Sequence, residues 1–456
     1  MERSLAIAGM ETFQLMRAPL PAIWGCFFAA LCAISGVAQS ISSDDIVRGA
    51  DQRIERFRKG NLVLALTDQK GNRLGPGSHV RIEQVRHKFL FGANLFRFGK
   101  IDQPGQEALY RERFADLMNY ATAPFYWRAY EKVQGKPDYE STDQLIEWCR
   151  SYGIEIKGHP LAWNLNDPDW LPVDPEAVQR LMLGRVTAIV RRFSASIRYW
   201  DAFNELTAYD RPSMRQDAPM ETAVIDSMGQ IPYAQAVLRA ARQGNPQAVL
   251  IVNDYLTGPR FQDLLAKVAV DSGRPGFDVV GIQSHQHTGV WEPEKIWKIC
   301  DTFAALGKPI HFTETTILSG PLQGFAGPPD SGWNTTPEGE RLQAEQVVRY
   351  YTILFSNPAV AAITWWDLTD LHAWKNAPAG LLRRDMSPKP AYTALKNLIK
   401  NKWWTRAECV TDAKGDVRMR AFYGAYELTA QSGDKQLHGE FRFDSENANA
   451  LEVHLH

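Results

Sequence analysis

The chain has 456 residues, enough for one large α/β domain and a smaller module. Its formal net charge of −1 gives no electrostatic ground for nucleic acid or an anionic membrane surface as partner. Hydrophobic residues make up 45%, so a large core can be built, and 14 tryptophans fit either an aromatic core or surfaces on which apolar rings stack.

In chain order, Arg17 is followed by an apolar run from Pro21 to Ile34 and then by small residues to Val37-Ala38-Gln39. A charged start, an apolar stretch and a small-residue cleavage site predict a signal peptide over 1–38 and a secreted or periplasmic protein. A start at Met10 or Met16 makes the more ordinary signal. The run is too short and too early for a membrane span, so no stable membrane insertion is expected. The residues before Cys26 and Cys32 fit a lipoprotein anchor poorly. Beyond this segment only Cys149, Cys300 and Cys409 remain, and an odd count is no disulfide scaffold. With no CxxC or HExxH spacing, neither metal nor cofactor is expected.

Residues 60–88 alternate apolar and polar around a Gly71-Asn72 turn and read as paired strands. From Phe89 short apolar runs alternate with helical patterns. The strands are predicted at 89–95, 121–127, 154–160, 198–204, 249–254, 277–284, 309–314 and 360–366. Helices are predicted at 139–152, 174–193, 259–272, 292–306 and 338–356, with a last one from about 388 to 400. Eight such units predict a (β/α)8 TIM barrel over 89–400. Residues 405–456 return to strand-like alternation. Neither flanking segment can bury a sheet face alone, so 60–88 and 405–456 are expected to form one small antiparallel β module.

Polar and aromatic residues recur at the predicted C-terminal strand ends: His159 with Trp163 beyond it, Asn204-Glu205, Asn253-Asp254-Tyr255, Gln283-Ser284-His285, Thr313-Glu314, and Trp366-Asp367 with Trp374 following. Barrel enzymes place their chemistry at that end. A lone glutamate is most often a solvated charge, but Glu205 and Glu314 each end an apolar strand. Two carboxyls on different strands are what glycosidic hydrolysis requires: one protonates the leaving oxygen and the other attacks or stabilises the anomeric carbon. Asn204 is suited to a sugar 2-hydroxyl, His285 to orienting Glu314, and Trp366 and Trp374 to walling a ring. A satisfied core histidine is the alternative for His159.

The motifs KGHPLAWN, WDAFNE, NDYL, GIQSH, HFTE and WWDLTDLHAW followed by SPKPAY, in this order over roughly 89–400, resemble glycoside hydrolase family 10, whose founding activity is endo-β-1,4-xylanase. The resemblance implies a retaining mechanism with Glu205 as acid/base and Glu314 as nucleophile, a polysaccharide or oligosaccharide substrate, and substrate contacts from His159, Trp163, Asn204, Tyr255, Gln283, His285, Trp366 and Trp374. Three departures stand out. The family's Glu-Asn-x-x-Lys grip on the next sugar outward falls on Phe125, Tyr126 and Ala129, counting back from Glu131. Its Trp-His becomes Trp163-Asn164, with Asn166 in place of a following Gln. The Leu-Asp after the nucleophile becomes Thr315-Thr316. Phe125 and Tyr126 are therefore expected to rebuild the neighbouring subsite. The competing readings are a different or decorated β-linked glycan, a catalytically silent carbohydrate-binding protein, and a metal-dependent hydrolase using His159, His285, His287 and His311. Cleavage mode and oligomeric state stay open.

Overall fold

The computed structural model describes residues 42–456 apart from 272, 328–331, 433–434 and 446–450, so the signal-peptide expectation lies outside the described residues. Two short helices, Ser43–Arg48 and Ala50–Phe57, lead into β1 (Lys59–Thr67) and β2 (His79–His87). The barrel follows as β3 (Leu90–Asn94), β4 (Tyr120–Pro124), β5 (Glu155–His159), β6 (Tyr199–Asn204) and β7 (Val249–Asp254). After a two-residue pair, β8 (Val270–Asp271) and β9 (Arg274–Pro275), come β10 (Val279–Gln286), β11 (Ile310–Ile317) and β12 (Val360–Trp365). The eight barrel strands are parallel and pair in chain order, and β12 closes on β3. This is a (β/α)8 barrel.

The strands are short and nearly all apolar because they are covered on both faces. Aliphatic and aromatic side chains of strands and surrounding helices form one large core. The predicted helix 259–272 stops at Val268, where the β8–β9 pair begins. Strand β4 also ends earlier than predicted, because Trp127–Tyr130 closes into a helical turn.

Beyond the barrel lie β13 (Arg406–Val410), β14 (Asp416–Phe422), β15 (Gly424–Ser432), β16 (Lys435–Phe443) and β17 (Leu451–His454). They join β1 and β2 in two sheets, ordered β14-β1-β17 and β13-β2-β15-β16. Leu62, Leu64, Leu66, Ile82, Val417, Tyr426, Leu428 and Val453 form their shared core, separate from the barrel's. The expected all-antiparallel module is corrected at one place: β17 lies parallel to β1, because the chain crosses from the second sheet and takes β1's free edge in the same direction. Cys149 and Cys300 are buried packing residues and Cys409 is half-buried; none is in a disulfide. Among the described residues no helix is long and apolar enough to cross a membrane.

Candidate active site

The eight strand ends bring Glu205 and Glu314 into one polar network. Glu205 follows β6 with φ 53°, a left-handed conformation that a non-glycine residue holds only when its surroundings fix it. The fixing is visible: its N–H donates to Asn253 O at 2.9 Å, and the next turn is tied to β7 by Thr207 N and Oγ1, which donate to Asp254 Oδ2 at 3.1 and 2.6 Å. Strand β10 shifts register between Ile282 and Gln283, so Gln283 lies opposite Glu314. Such bulges re-aim side chains beside active sites.

Gln283 Nε2 donates to Glu205 Oε1 at 3.1 Å and to Asn204 Oδ1 at 3.3 Å. Asn253 Nδ2 donates to the same Asn204 oxygen at 2.6 Å and to Glu314 Oε1 at 2.8 Å. Thr313 Oγ1 donates to Asn253 Oδ1 at 2.5 Å, which fixes that amide's orientation. The two carboxylates are thus joined through three amides. With Asn204 Oδ1 taken twice, its buried Nδ2 has no partner among the described residues and is free for a ligand hydroxyl.

On the other side of Glu314, His285 Nε2 lies 3.1 Å from Oε2 and His285 Nδ1 lies 3.3 Å from Thr316 Oγ1. Burial pushes the imidazole down to about 3, so the ring is neutral. The partners then set the tautomer: Nε2–H donates to Glu314, and Nδ1 accepts from the Thr316 hydroxyl. His159 is held at Nδ1 by Asp201 Oδ2 at 2.7 Å, while its buried Nε2 has no partner among the described residues. Burial alone would raise Asp201, but Lys157, 2.7 Å away, and His159 outweigh it and hold this carboxylate below its ordinary range.

Burial raises both glutamates above the ordinary carboxyl value. Arg211 opposes this at Glu205, and the charge on Glu314 adds to it. At Glu314 the opposing charges are His159 and Lys157. Only Glu205 has a cation directly on it: Arg211 Nη2 sits 2.5 Å from Oε2.

Aromatic rings line the rest. Tyr126, half-buried, stands 5.5 Å from His159 and 5.9 Å from Trp163, centroid to centroid. Trp366 packs 5.5 Å from His159 and 5.9 Å from His285. Trp374 packs 4.5 Å from His285, and its backbone N–H donates to Asp367 Oδ2 at 2.9 Å. Tyr255 lies beside Arg211. A cavity of about 530 Å³ opens next to Tyr126, lined by Arg128, Ala129, Lys132, Leu165, Asn166, Pro168 and Asp169.

The structure therefore gathers Glu205, Glu314, His159, Trp163, Asn204, Tyr255, Gln283, His285, Trp366, Trp374 and Tyr126 at one mouth. Phe125 is a correction. It is fully buried and packs on Tyr130, Phe193 and Trp200. Consecutive residues leaving a strand point to opposite faces, so Tyr126 reaches the mouth and Phe125 the core. Asn164 also turns inward, donating to Tyr209 O and Thr222 Oγ1 at 2.8 Å each. Sequence reasoning missed Arg211, Thr316 and Asn253 as contacts, and Phe96, whose ring packs on Tyr126, His159 and Trp366. Of the histidines considered for a metal, His311 lies away from the mouth beside Tyr120 and Tyr199, and His287 Nδ1 lies 3.2 Å from Phe325 O. Among the described residues no three His, Cys, Asp or Glu side chains converge as a metal-ligand set.

Several known proteins are similar to the chain. Anti-sigma-I factor RsgI6 of Acetivibrio thermocellus is 26% identical over 386 residues, covering 83% of this chain and 46% of its own. Endo-1,4-beta-xylanase/feruloyl esterase of Xylanibacter ruminicola is 26% identical, covering 66% of this chain and 43% of its own. The chain thus spans under half the length of either curated relative. Among solved structures, native xylanase 10B of Thermotoga maritima superposes with TM-score 0.57 at 21% identity, covering 69% of this chain and 96% of that one. Xylanase 10B of Thermotoga petrophila in complex with xylobiose gives 0.56 at 20%, covering 69% and 95%. At these identities the superpositions establish the shared fold. The family model described as Glycosyl hydrolase family 10 matches residues 85–398, more than half of the sequence. The chain belongs to glycosyl hydrolase family 10.

Proposed function

We propose that this chain is a secreted, retaining glycoside hydrolase of the endo-1,4-β-xylanase type, cleaving xylan or a xylan-like β-glycan with Glu205 and Glu314. The observation that carries the reading is the amide-linked pair of buried carboxyls at the ends of β6 and β11, each in a different electrostatic setting. In the first step Glu314 attacks the anomeric carbon while Glu205 protonates the leaving oxygen. In the second, Glu205 takes a proton from water, and that water releases the sugar from Glu314. The His285 and Asn253 N–H groups hold Glu314 in line for attack. Asn204 Nδ2 meets the sugar 2-hydroxyl, a bond that strengthens as charge develops.

Proton NMR of the first product tests it: a β-anomer appearing before mutarotation supports retention. An α-anomer, or a carboxyl separation near ~9 Å instead of roughly 5–5.5 Å, would mean inversion. A polysaccharide panel with product analysis reads the glycan and the cleavage mode. Sequencing the N-terminus of protein recovered from the culture medium or periplasm tests export.

A second reading, carbohydrate binding without turnover, draws support from Arg211 bound to Glu205 and from the 83% coverage of this chain by a relative named as an anti-sigma factor. Measurable product from any β-glycan removes it.

A further inference from the structure

The loop after β6 runs through a 3₁₀ turn, Leu206–Ala208, to Arg211, which precedes the helix Pro212–Asp217. Arg211 Nη2 lies 2.5 Å from Glu205 Oε2, and Arg211 Cζ stands 5.2 Å from the centroid of the Tyr255 ring. Its buried Nε has no hydrogen-bond partner among the described residues. The Arg211 side chain is 31% exposed and that of Glu205 11%. The guanidinium is therefore at the rim of the mouth, backed by an aromatic ring and held to the site by Glu205.

This grip conflicts with the work of a general acid. Gln283 donates to Oε1 and Arg211 to Oε2, so both oxygens receive N–H groups, which suits the ionised carboxylate. A guanidinium donates only and keeps its charge at any working pH. A proton on Oε2 would face Nη2–H directly, so Glu205 can carry it there only after Arg211 has moved away. A half-buried cation stripped of its partner is costly unless another anion takes over. The proton of Glu205 goes to the leaving oxygen, so the leaving sugar passes on the Glu205 side, away from Glu314 and His285. Arg211 is on that side. A carboxylate there matches the guanidinium fork.

We propose that Arg211 is a positioning residue that reads a carboxylate on the leaving-group side of the glycan and, in binding it, lets go of Glu205 so that Glu205 can take up its proton. The proposal rests on the reading of Glu205 as the acid. The substrate class it names is a β-glycan whose leaving portion bears uronic acid. The proton comes from solvent, and no bond other than the glycosidic one is broken.

The test uses a xylo-oligosaccharide with one glucuronic acid branch and the methyl ester of the same molecule, alike in shape but not in charge. Calorimetry with Glu314→Gln protein measures binding, and kinetics with wild type, Arg211→Gln and Arg211→Lys measure turnover. The acid should bind roughly tenfold more tightly than the ester when Arg211 is present, and equally when Arg211→Gln is added. Wild type should turn over the acid faster than the ester; Arg211→Gln should bring that ratio to one, and Arg211→Lys should lower it. On the ester, Arg211→Gln should also carry the alkaline limb of kcat/KM to higher pH, because losing the cation lets Glu205 keep its proton longer. Equal binding of acid and ester to the Arg211 protein overturns the proposal, as does a preference surviving in Arg211→Gln or an unmoved alkaline limb. Should Arg211→Gln fail to fold, an undiminished ratio in Arg211→Lys overturns it. Failure of the hydrolase reading looks different: neither compound is turned over, yet the acid still binds more tightly through Arg211.

Discussion

Thr316 Oγ1 lies 3.3 Å from His285 Nδ1, so a neutral hydroxyl stands where a family-type aspartate would accept a proton from the ring. An acceptor at that place favours Nδ1–H and the imidazolium; a hydroxyl donor favours the neutral ring with its proton on Nε2, toward Glu314. Thr316→Val should remove the donor without changing volume and slow kcat roughly two- to tenfold, the worth of one hydrogen bond of about 0.5–1.5 kcal/mol. Thr316→Asp should do more. It should raise the imidazole pKa from its buried value of about 3 and give the kcat–pH profile a new acidic inflection. A profile unchanged in Thr316→Asp would show that Thr316 does not set the tautomer.

Glu205→Ala should slow unactivated glycosides about 10²–10⁴-fold, because they need the proton. Aryl glycosides with good leaving groups should be nearly spared in kcat/KM, while their kcat falls because the second step loses its general base. Glu314→Gln should abolish turnover of both. A series of aryl leaving groups separates these patterns, and equal losses in kcat/KM across the series would remove Glu205 as the acid.

Glu314 also makes a stability prediction. Burial raises its folded pKa above the unfolded value, so the native state holds this proton longer than the unfolded chain. Its contribution is then fully present at pH below the unfolded pKa of about 4.3 and is lost as pH climbs through the raised folded value. Glu314→Gln should therefore melt above wild type near neutral pH, with the gap closing below about pH 4. Thermal scans across pH check it; a gap that widens on acidification contradicts the sign.

Gly158 pairs with Trp200 across β5 and β6, and a Cβ there would come within 2.1 Å of the Trp200 ring. Gly158→Ala must displace a fully buried tryptophan and the strand carrying His159. It should cost about 1–3 kcal/mol or more and lower kcat/KM as well. Denaturant midpoints and Trp near-ultraviolet dichroism report this.

Specificity should follow from the rebuilt rim. Each missing sugar hydrogen bond costs about 0.5–1.5 kcal/mol, so losing two or three weakens the outer subsite from roughly fivefold to roughly a thousandfold. Linear unsubstituted xylan should be a poor substrate. A steep rise in kcat/KM from xylobiose to xylotetraose would contradict this.

The barrel strands and both glutamates were legible because a strand covered on both faces reads as a short apolar run, and a carboxylate at its end interrupts that run. Asn204, Gln283 and His285 were legible for the same reason. Phe125 was misjudged because sequence position carried no direction there: the helical turn at Trp127–Tyr130 decides which of two adjacent aromatics faces the mouth. Arg211 was invisible because its approach to Glu205 depends on how the loop folds back after Glu205 enters the left-handed region. Thr316 stood in plain view as a departure, but its role needs the neutral state of His285, which comes from burial and not from spacing.

The flanking sheets set an order of assembly. Strand β1 lies between β14 and β17, and β2 between β13 and β15, so among the described residues the two strands that precede the barrel are completed only by strands that follow it. At about 5–20 residues per second of synthesis, β1 and β2 wait tens of seconds with their apolar faces and edges uncovered. During that wait the whole barrel sequence is made and its sheet can close, since all eight of its strands lie between Leu90 and Trp365. Premature release before residue 406 would leave a finished barrel trailing two unpaired strands, the kind of edge that recruits other chains. Quality control of a truncated chain would thus meet a folded barrel marked by an open sheet.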